Sequence, residues 1–181
     1  MVARACVRAG SADWRILGFL DDGDVDRETL DRLGASYLGD VASVGGTGAH
    51  QVIAIGANHI RREIDARIRD SAPAAVLVDP TAVVGDDVEL GPGVMLYPGS
   101  RCTTNVRIGR HSHVNCGATI SHDCRVGDYV SVSPGALLNG GVTVGDGALI
   151  GSGAVVLPGR HVGENALVRA GSVVTADVSP E

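Results

Sequence analysis

The sequence is poor in aromatic residues and contains no lysine. Only 3% of its 181 residues are Phe, Trp or Tyr, so the core must be built from smaller aliphatic side chains. All 15 basic residues are arginines, which excludes chemistry that needs a Schiff-base lysine. The four cysteines contain no Cys-x-x-Cys pair, and a chain of this length does not need disulfides to fold. We expect them to be small, buried or half-buried thiols.

Long apolar runs and dense basic clusters are also missing. No segment approaches the roughly 18 consecutive apolar residues of a membrane span, and the N-terminus lacks the apolar stretch of a signal peptide. The net charge is -6, and no basic cluster could follow a phosphate backbone. The hydrophobic fraction of 44% is too high for disorder. We therefore expect a folded cytoplasmic protein that binds neither membranes nor nucleic acid.

The second half of the chain repeats with a period of six residues. Every sixth residue is apolar at sixteen consecutive positions: Val84, Leu90, Leu96, Cys102, Ile108, Val114, Ile120, Val126, Val132, Leu138, Val144, Ile150, Val156, Val162, Val168 and Val174. The residue four positions after each of these is small or apolar, except at Arg160. A period of six is a multiple of the strand period and clashes with the helical one, and glycine-rich fragments between the apolar residues supply turns. The repeat predicts a parallel β-helix.

The residues before about position 75 follow another pattern. Arg15–Leu20 and Gln51–Ile55 are short apolar runs followed by turn residues, so each predicts a strand. A weak helix is predicted over 27–33, and the glycine-rich segment 45–48 is predicted to be a loop. Strands that alternate with helices indicate a small parallel α/β domain.

A second helix is predicted over 58–70. Its apolar residues recur at a spacing of four between charged residues, at Ile60, Ile64 and Ile68. Asn58 is a favourable N-cap residue for it. Pro73 and Pro80 bracket the passage into the repeat, so we divide the chain into a small α/β domain, residues 1–75, and a β-helix domain, residues 76–181.

Histidine is the natural general base near neutral pH. Four of the six histidines lie in the repeat, at His111, His113, His122 and His161. His122 occupies the third position of its hexad, which points outward, so it is either a solvated surface residue or a candidate base. Asp123 could raise its basicity. Neighbouring residues of a strand point to opposite faces, so their contact requires a corner of the repeat.

Four motifs carry a family resemblance: Gly-Phe-Leu-Asp-Asp at 18–22, Ile-Ala-Ile-Gly-Ala-Asn-His-Ile-Arg at 53–61, His-Asp-Cys-Arg-Val-Gly-Asp at 122–128 and Ser-Pro-Gly-Ala at 133–136. With the hexads, they resemble the bacterial sugar O- and N-acetyltransferases that include sialic acid O-acetyltransferase and UDP-amino-sugar N-acetyltransferase. The resemblance covers residues 16–178. It implies a left-handed β-helix with three hexads per triangular coil, an acetyl-CoA-dependent transfer to a sugar or UDP-sugar acceptor, and a homotrimer with active sites between subunits.

The resemblance also implies roles for individual residues. His122 matches the general base, Asp123 the acid that makes it more basic, and Asn115 an asparagine that lines the same site. The positions that match acetyl-CoA contacts are Ser131, where the family often has histidine, and Gly140, Ser152 and Ala170. The positions that match nucleotide contacts are Asp21, Asp22 and Gly56. No metal site is implied.

The chain also departs from this family. Residues 1–10 match the helix that follows the family's first strand and Gly-rich phosphate loop, so that strand and loop are expected to be missing from the α/β domain. A Gly-x-Pro-Ala motif is absent after Val178. One alternative is therefore a non-catalytic or acceptor-impaired trimer. Another is a zinc enzyme like the γ-type carbonic anhydrases, although His111, His113 and His122 lack their His-x4-His spacing.

Overall fold

The computed structural model of the protein describes Ala3 and residues 14–181. The expected absence of a first strand and phosphate loop rests on residues 1–10, and this expectation lies outside the described residues apart from Ala3. No helix in the described part of the chain is long and apolar enough to cross a membrane.

The repeat forms three parallel sheets around one axis, and the predicted left-handed parallel β-helix is confirmed. Face 1 contains Leu77–Val78, Met95–Leu96, His113–Val114, Ser131–Val132, Leu149–Ile150 and Leu167–Val168. Face 2 contains Val83–Val84, Arg101–Cys102, Thr119–Ile120, Leu137–Leu138, Val155–Val156 and Val173–Val174. Face 3 contains Val88–Leu90, Val106–Ile108, Arg125–Val126, Thr143–Val144 and His161–Val162.

One coil of this prism contains 18 residues. Thr119 pairs with Leu137, and Ile120 with Leu138, so each residue lies above the one 18 positions earlier. The predicted apolar positions point into the prism and are buried from Leu96 to Val174. The prediction is wrong at Val84, which is 41% exposed because its strand forms the edge of face 2 and has a coil on one side only.

The coils turn at three corners through residues in the left-handed conformation. The first corner, between faces 1 and 2, uses Gly99, Gly117, Gly135, Gly153 and Gly171. The second corner, between faces 2 and 3, uses Asp87, Asn105, Asp123, Gly141 and Gly159. The third corner, between face 3 and face 1 of the next coil, uses Gly93, His111, Tyr129, Gly147 and Asn165. Gly, Asn and Asp adopt this conformation most readily, which explains most of these residues.

Between residue 14 and the prism, the chain forms a two-stranded parallel sheet and three helices. Phe19–Leu20 pairs with Tyr37–Gly39. Helix α1 is Arg27–Leu33, as predicted, a 3-10 helix spans Val41–Thr47, and helix α2 is Asn58–Ile68. The carboxylate of Asp26 accepts a hydrogen bond from the Thr29 amide and caps α1.

Three sequence predictions for this segment are wrong in detail. The first strand is only Phe19–Leu20. Gln51–Ile55 is not a strand, because the Gln51 backbone bonds to Pro73 and Ala75 and forms a single bridge there. The predicted loop at 45–48 belongs instead to the end and C-cap of the 3-10 helix.

The predicted cap of α2 is also wrong. The N-cap is Ala57, without a side-chain cap, and Asn58 is the first helical residue. The Asn58 amide group reaches the prism instead: Nδ2 donates to the carbonyl oxygens of Gly147 and Ala148, at 2.8 and 3.0 Å. Asn58 therefore attaches the start of α2 to the third corner.

Candidate active site

His122 and Asp123 lie at the second corner and form a hydrogen-bonded pair. His122 Nδ1 is 2.7 Å from Asp123 Oδ2. The two side chains meet because Asp123 has a φ of 63° and turns the chain at this point. Both are exposed, with 63% of the His122 side chain and 54% of the Asp123 side chain accessible. A carboxylate can only accept, so Nδ1 carries the hydrogen, and in the neutral ring Nε2 then presents its lone pair outward.

The second oxygen of Asp123 is held from the coil below. Asn105 Nδ2 donates to Asp123 Oδ1 at 2.5 Å, and Arg125 Nη2 donates to Asn105 Oδ1 at 3.0 Å. Hydrogen bonds from His122 and then Asn105 hold the pKa of Asp123 below its ordinary value. Sequence reasoning missed Asn105 and Arg125. The 18-residue coil places Asn105 directly under Asp123, and this register is the signal that could have found it.

Gly140 lies one coil above His122. A Cβ atom at Gly140 would come within 2.6 Å of His122 Nε2, so any side chain there would collide with the imidazole. The Gly140 carbonyl accepts from the Gly159 amide, whereas the Gly140 amide donates no hydrogen bond within residues 14–181. The open side of the imidazole thus faces a glycine with an available amide.

The other residues assigned to the same site lie at a different corner. Asn115 is at the first corner, where Nδ2 donates to the Val132 carbonyl at 3.1 Å. Ser152 and Ala170 are exposed at this corner, one above the other, and the Gly171 amide donates to the Ser152 carbonyl. Within residues 14–181 no hydrogen bond joins any of the three to His122. One copy of the chain therefore does not bring the two groups together.

Ser131 does not have the exposed position that an acetyl-CoA contact requires, and this expectation is corrected. It lies on face 1 under α2 and is only 4% exposed. Its hydroxyl donates to Asn58 Oδ1 at 2.6 Å and accepts from Arg61 Nη2 at 3.0 Å. The hydroxyl is therefore used to attach α2 to the prism.

The two aspartates assigned to the nucleotide differ in availability. Asp22 is occupied: Oδ1 accepts from the Val41 amide, and Oδ2 pairs with Arg67 Nη1 at 2.9 Å. These contacts, the Val41 bond first, lower its pKa. Both carboxylate oxygens of Asp22 thus support the fold, while its side chain stays 42% exposed, and its contact with a nucleotide remains a prediction. Asp21 uses only Oδ1, toward the Gly23 amide, and remains exposed.

Gly56 lines an open cleft between the start of α2 and the third corner. The cleft has a volume of about 350 Å³. Its lining consists of Gly56, Ala57, Asn58, His59, Arg62, Gly147, Leu149 and Asn165. The Arg62 guanidinium lies over the Tyr129 ring at 5.2 Å, next to this cleft. The cleft therefore combines open space with a cationic wall.

Beneath the cleft, Arg61 is fully buried and joins α2 to the prism. Its Nη1 donates to the carbonyls of Ile55 and Gly56, and its Nε donates to the His111 carbonyl at 3.0 Å. Its Nη2 donates to Tyr129 O, Val130 O and Ser131 Oγ. One guanidinium thus satisfies carbonyl groups on both sides of the contact.

One turn further along α2, Asp65 is also fully buried. Arg110 forms a two-pronged ion pair with it, at 2.6 and 2.7 Å, and the Tyr129 hydroxyl and His111 Nε2 bond to the same carboxylate. Burial alone would raise the pKa of Asp65, but the hydrogen bonds from Arg110 and Tyr129 outweigh it and lower the pKa to about 2. Arg69 is a further partner of Asp65, with Nη2 3.3 Å from Oδ2.

Two further histidines and two cysteines of the prism, His111, His113, Cys102 and Cys124, are buried. Burial lowers the pKa of His111, and burial together with Arg61 lowers that of His113 to about 3, so both rings are neutral. Burial raises the pKa of Cys102 to about 12 and also raises that of Cys124, which makes both poor nucleophiles. Within residues 14–181, no three His, Cys, Asp or Glu side chains converge as metal ligands.

Comparison with known proteins agrees with this architecture. The model of the family "Bacterial transferase hexapeptide (six repeats)" matches residues 105–140 and 141–176. No curated protein matches the chain. Perosamine N-acetyltransferase PerB from Caulobacter crescentus, solved with CoA and GDP-perosamine, is 31% identical over 85% of this chain and 84% of PerB, with a TM-score of 0.77.

Two further solved structures are similar over almost the whole chain. The acetyltransferase domain of PglB from Neisseria gonorrhoeae, solved with acetyl coenzyme A, is 27% identical over 98% of this chain and 86% of that domain, with a TM-score of 0.85. WeeI from Acinetobacter baumannii is 29% identical over 96% of this chain and 85% of WeeI, with a TM-score of 0.82. Fold and comparisons together define a hexapeptide-repeat acyltransferase. The chain belongs to the bacterial transferase hexapeptide family, as its sequence motifs predicted.

Proposed function

We propose that this acyltransferase moves the acetyl group of acetyl-CoA to an amine or hydroxyl of a nucleotide-linked sugar. The observation that carries the proposal is the exposed His122–Asp123 pair, whose Nε2 faces open space beneath Gly140. PerB with CoA and GDP-perosamine, and the PglB domain with acetyl-CoA, support this choice of donor and acceptor. Because the nucleotide sugar bound to PerB is GDP-perosamine, the proposed acceptors include GDP-sugars as well as UDP-sugars.

In this proposal His122 is the general base. Its Nε2 accepts the proton of the acceptor amine or hydroxyl while that group attacks the thioester carbonyl carbon. The Asp123 carboxylate stabilises the resulting imidazolium and keeps its ring oriented. The Gly140 amide donates to the oxyanion of the tetrahedral intermediate. When the carbon–sulfur bond breaks, His122 returns the proton to the departing sulfur. No acyl-enzyme forms, because the acceptor itself attacks the thioester.

Acetyl-CoA would extend from His122 toward the first corner of a neighbouring copy. Ser152 and Ala170 are small and exposed there, which lets a pantetheine arm approach the backbone, and Asn115 lies on the same corner. Since one copy keeps the two corners apart, we propose a homotrimer with each site between two subunits. The outward side chains of face 2 support such packing, because Leu137, Val155 and Val173 form an apolar strip.

The acceptor nucleotide would occupy the cleft beside Gly56, to which the segment before residue 75 contributes α2 and the prism contributes the third corner. Residues 76–181 would also carry the transfer chemistry. The cleft and His122 lie on consecutive corners of the prism. They are separated by the width of face 3, about 20 Å, and by a rise of one to two coils, about 5 to 10 Å. This distance suits a nucleoside diphosphate sugar. Arg62 would face the phosphates, so Arg62→Ala should raise the acceptor KM roughly 10-fold and leave the acetyl-CoA KM unchanged.

The proposal is tested by measuring thiol release from acetyl-CoA with a panel of GDP- and UDP-linked amino sugars and their hydroxyl analogues. The expected result is saturable release with at least one nucleotide sugar and much less with the free sugar. Release that is independent of every sugar would contradict the assigned acceptor class.

The shared site is tested by mixing two inactive variants, His122→Ala and Ser152→Trp, after unfolding and refolding them together. If each site takes one corner from each of two copies, random mixing should restore about a quarter of the wild-type activity. Refolding each variant alone is the control. No recovery in mixtures shown to contain both chains would refute a shared site.

A further inference from the structure

Asn105 lies outside every residue assigned above to the reaction, yet it contacts the carboxylate that orients the base. It occupies the second corner one coil below Asp123, and both residues have left-handed φ angles, 51° and 63°. Asn105 Nδ2 donates to Asp123 Oδ1 at 2.5 Å, while Asp123 Oδ2 pairs with His122 Nδ1. The carboxylate is therefore held at both oxygens.

Arg125 determines which way the Asn105 amide faces. Its Nη2 donates to Asn105 Oδ1 at 3.0 Å, and its Nη1 donates to the Asn105 carbonyl at 2.7 Å. A guanidinium only donates and a carboxylate only accepts, so Oδ1 must face Arg125 and Nδ2 must face Asp123. The chain of hydrogen bonds thus has a single direction, from Arg125 through Asn105 and Asp123 to His122.

The coil below shows that an asparagine is not needed for the corner itself. There Asp87 has a φ of 55°, and Arg107 donates to its carbonyl and its Oδ1 at 2.9 and 3.0 Å. This is the same arginine arrangement around an aspartate. At position 105 an aspartate would face a second carboxylate at 2.5 Å, with repulsion in place of a hydrogen bond. The neutral amide is required only where the next coil carries Asp123.

We infer that Asn105, oriented by Arg125, is a positioning residue that fixes the Asp123 carboxylate and thereby the Nδ1–H tautomer of His122. Its effect on turnover rests on the proposed role of His122 as general base. Its effect on the His122 tautomer does not depend on that role, because the tautomer can be measured in the resting protein without substrates. A purely structural role would stabilise the corner without selecting a tautomer.

The test compares Asn105→Ala and Asn105→Asp with the matched control Asp87→Ala, which loses the equivalent arginine contact one coil away from the site. Nitrogen NMR of labelled histidine should show His122 mainly as the Nδ1–H tautomer in the wild type and in Asp87→Ala, and a shift toward Nε2–H in both Asn105 variants. Turnover should fall roughly 10-fold in both Asn105 variants, with both KM values within about twofold of wild type.

Asn105→Asp keeps the test valid if Asn105→Ala does not fold, because Asp87 shows that aspartate suits this corner. An unchanged tautomer in a folded Asn105 variant would overturn the inference, and so would the same shift in Asp87→Ala. The tautomer could shift in the Asn105 variants while the wild-type protein acetylates no sugar. That result would sustain the positioning role of Asn105 and refute the proposed function, so the two failures are distinguishable.

Discussion

Residues 14–181 contain two histidine–aspartate pairs in contrasting surroundings. His122 and Asp123 are exposed at the second corner, where Asn105 is the further side chain on the carboxylate. His111 and Asp65 are fully buried between α2 and the third corner, and Asp65 also binds Arg110 and the Tyr129 hydroxyl. The two hydrogen-bond distances are similar, at 2.7 and 3.0 Å. The two pairs therefore differ in burial and in the additional partners of the aspartate, and not in the distance between histidine and aspartate.

The difference shows why one pair suits catalysis and the other suits packing. In the exposed pair, the aspartate bonds Nδ1 and leaves Nε2 directed at open space. In the buried pair, Nε2 is the bonded nitrogen and Nδ1 faces the close-packed Gly93 of the coil below. A base must reach a substrate proton, so only His122 meets the geometric requirement. The buried pair instead fixes α2, and with it the Gly56 cleft, on the prism.

The largest expected effect is on activity at the exposed pair. His122→Ala should lower turnover roughly 10²- to 10⁴-fold, the usual contribution of a general base, with little change in acetyl-CoA affinity or melting temperature. His161→Ala removes another exposed histidine and should have far less effect. Steady-state kinetics on the two variants check this. Equal losses would mean that His122 is only a surface residue.

The buried contact should respond in stability rather than in chemistry. Arg61→Ala removes a buried guanidinium and leaves several carbonyls without a donor, so the free energy of unfolding should fall by about 3 to 5 kcal/mol. Arg62→Ala changes the exposed neighbour and should cost less than about 1 kcal/mol. Urea unfolding measures both. A small loss in Arg61→Ala would refute its role in attaching α2.

The buried histidines predict how stability depends on pH. The pKa of His113 falls from 6.5 to about 3 on folding, because burial disfavours the charged ring. As the pH falls, the unfolded chain binds this proton before the folded protein does. The contribution of the neutral His113 to the free energy of unfolding is therefore complete above about pH 6.5 and is lost as the pH falls toward 3. The slope from this one group is about 1.4 kcal/mol per pH unit. His113→Phe should reduce that slope, whereas His161→Phe should keep it. The free energy of unfolding is measured at pH 7 and pH 5 for the wild type and both variants. An equal change between the two pH values in all three proteins would contradict the assignment to His113.

The smallest expected effect comes from Gly140, the glycine above His122. Gly140→Ala places a methyl group 2.6 Å from His122 Nε2, so the ring must move and turnover should fall roughly 10-fold. Gly46→Ala is the control, because a Cβ atom there meets nothing within 4 Å. Kinetics of both variants decide the matter. Wild-type turnover in Gly140→Ala would show that the imidazole does not use this space.

The prism was predictable from the sequence because its signal is local and repeated. Each hexad specifies the same inward position, so the interior follows from the period, except at the edge strand that contains Val84. His122 and Asp123 followed from a motif, and their contact required only the corner that glycine and aspartate allow. Asn105 was missed because its partner lies 18 residues away, although the coil length contains that information.

The segment before the prism was less predictable because its contacts are long-range. In the helical pattern of α2, Arg61 is one of several charged residues. Its partners on the prism lie 50 to 70 residues away in the sequence. Ser131 matched a cofactor position in the family, and only the packing of α2 shows that its hydroxyl is covered. Gln51–Ile55 has the composition of a strand, but within residues 14–181 it pairs only through the single bridge of Gln51.

Chemical rescue tests most directly whether the exposed pair is the catalytic one. In His122→Ala, the missing ring leaves an open space beside Asp123 and beneath Gly140 that free imidazole can enter. We predict that thiol release by this variant rises with imidazole concentration, reaches saturation and still depends on the acceptor sugar, while His161→Ala does not respond. Acetyl-CoA binding without any rescue by imidazole would contradict the role of His122 as the base.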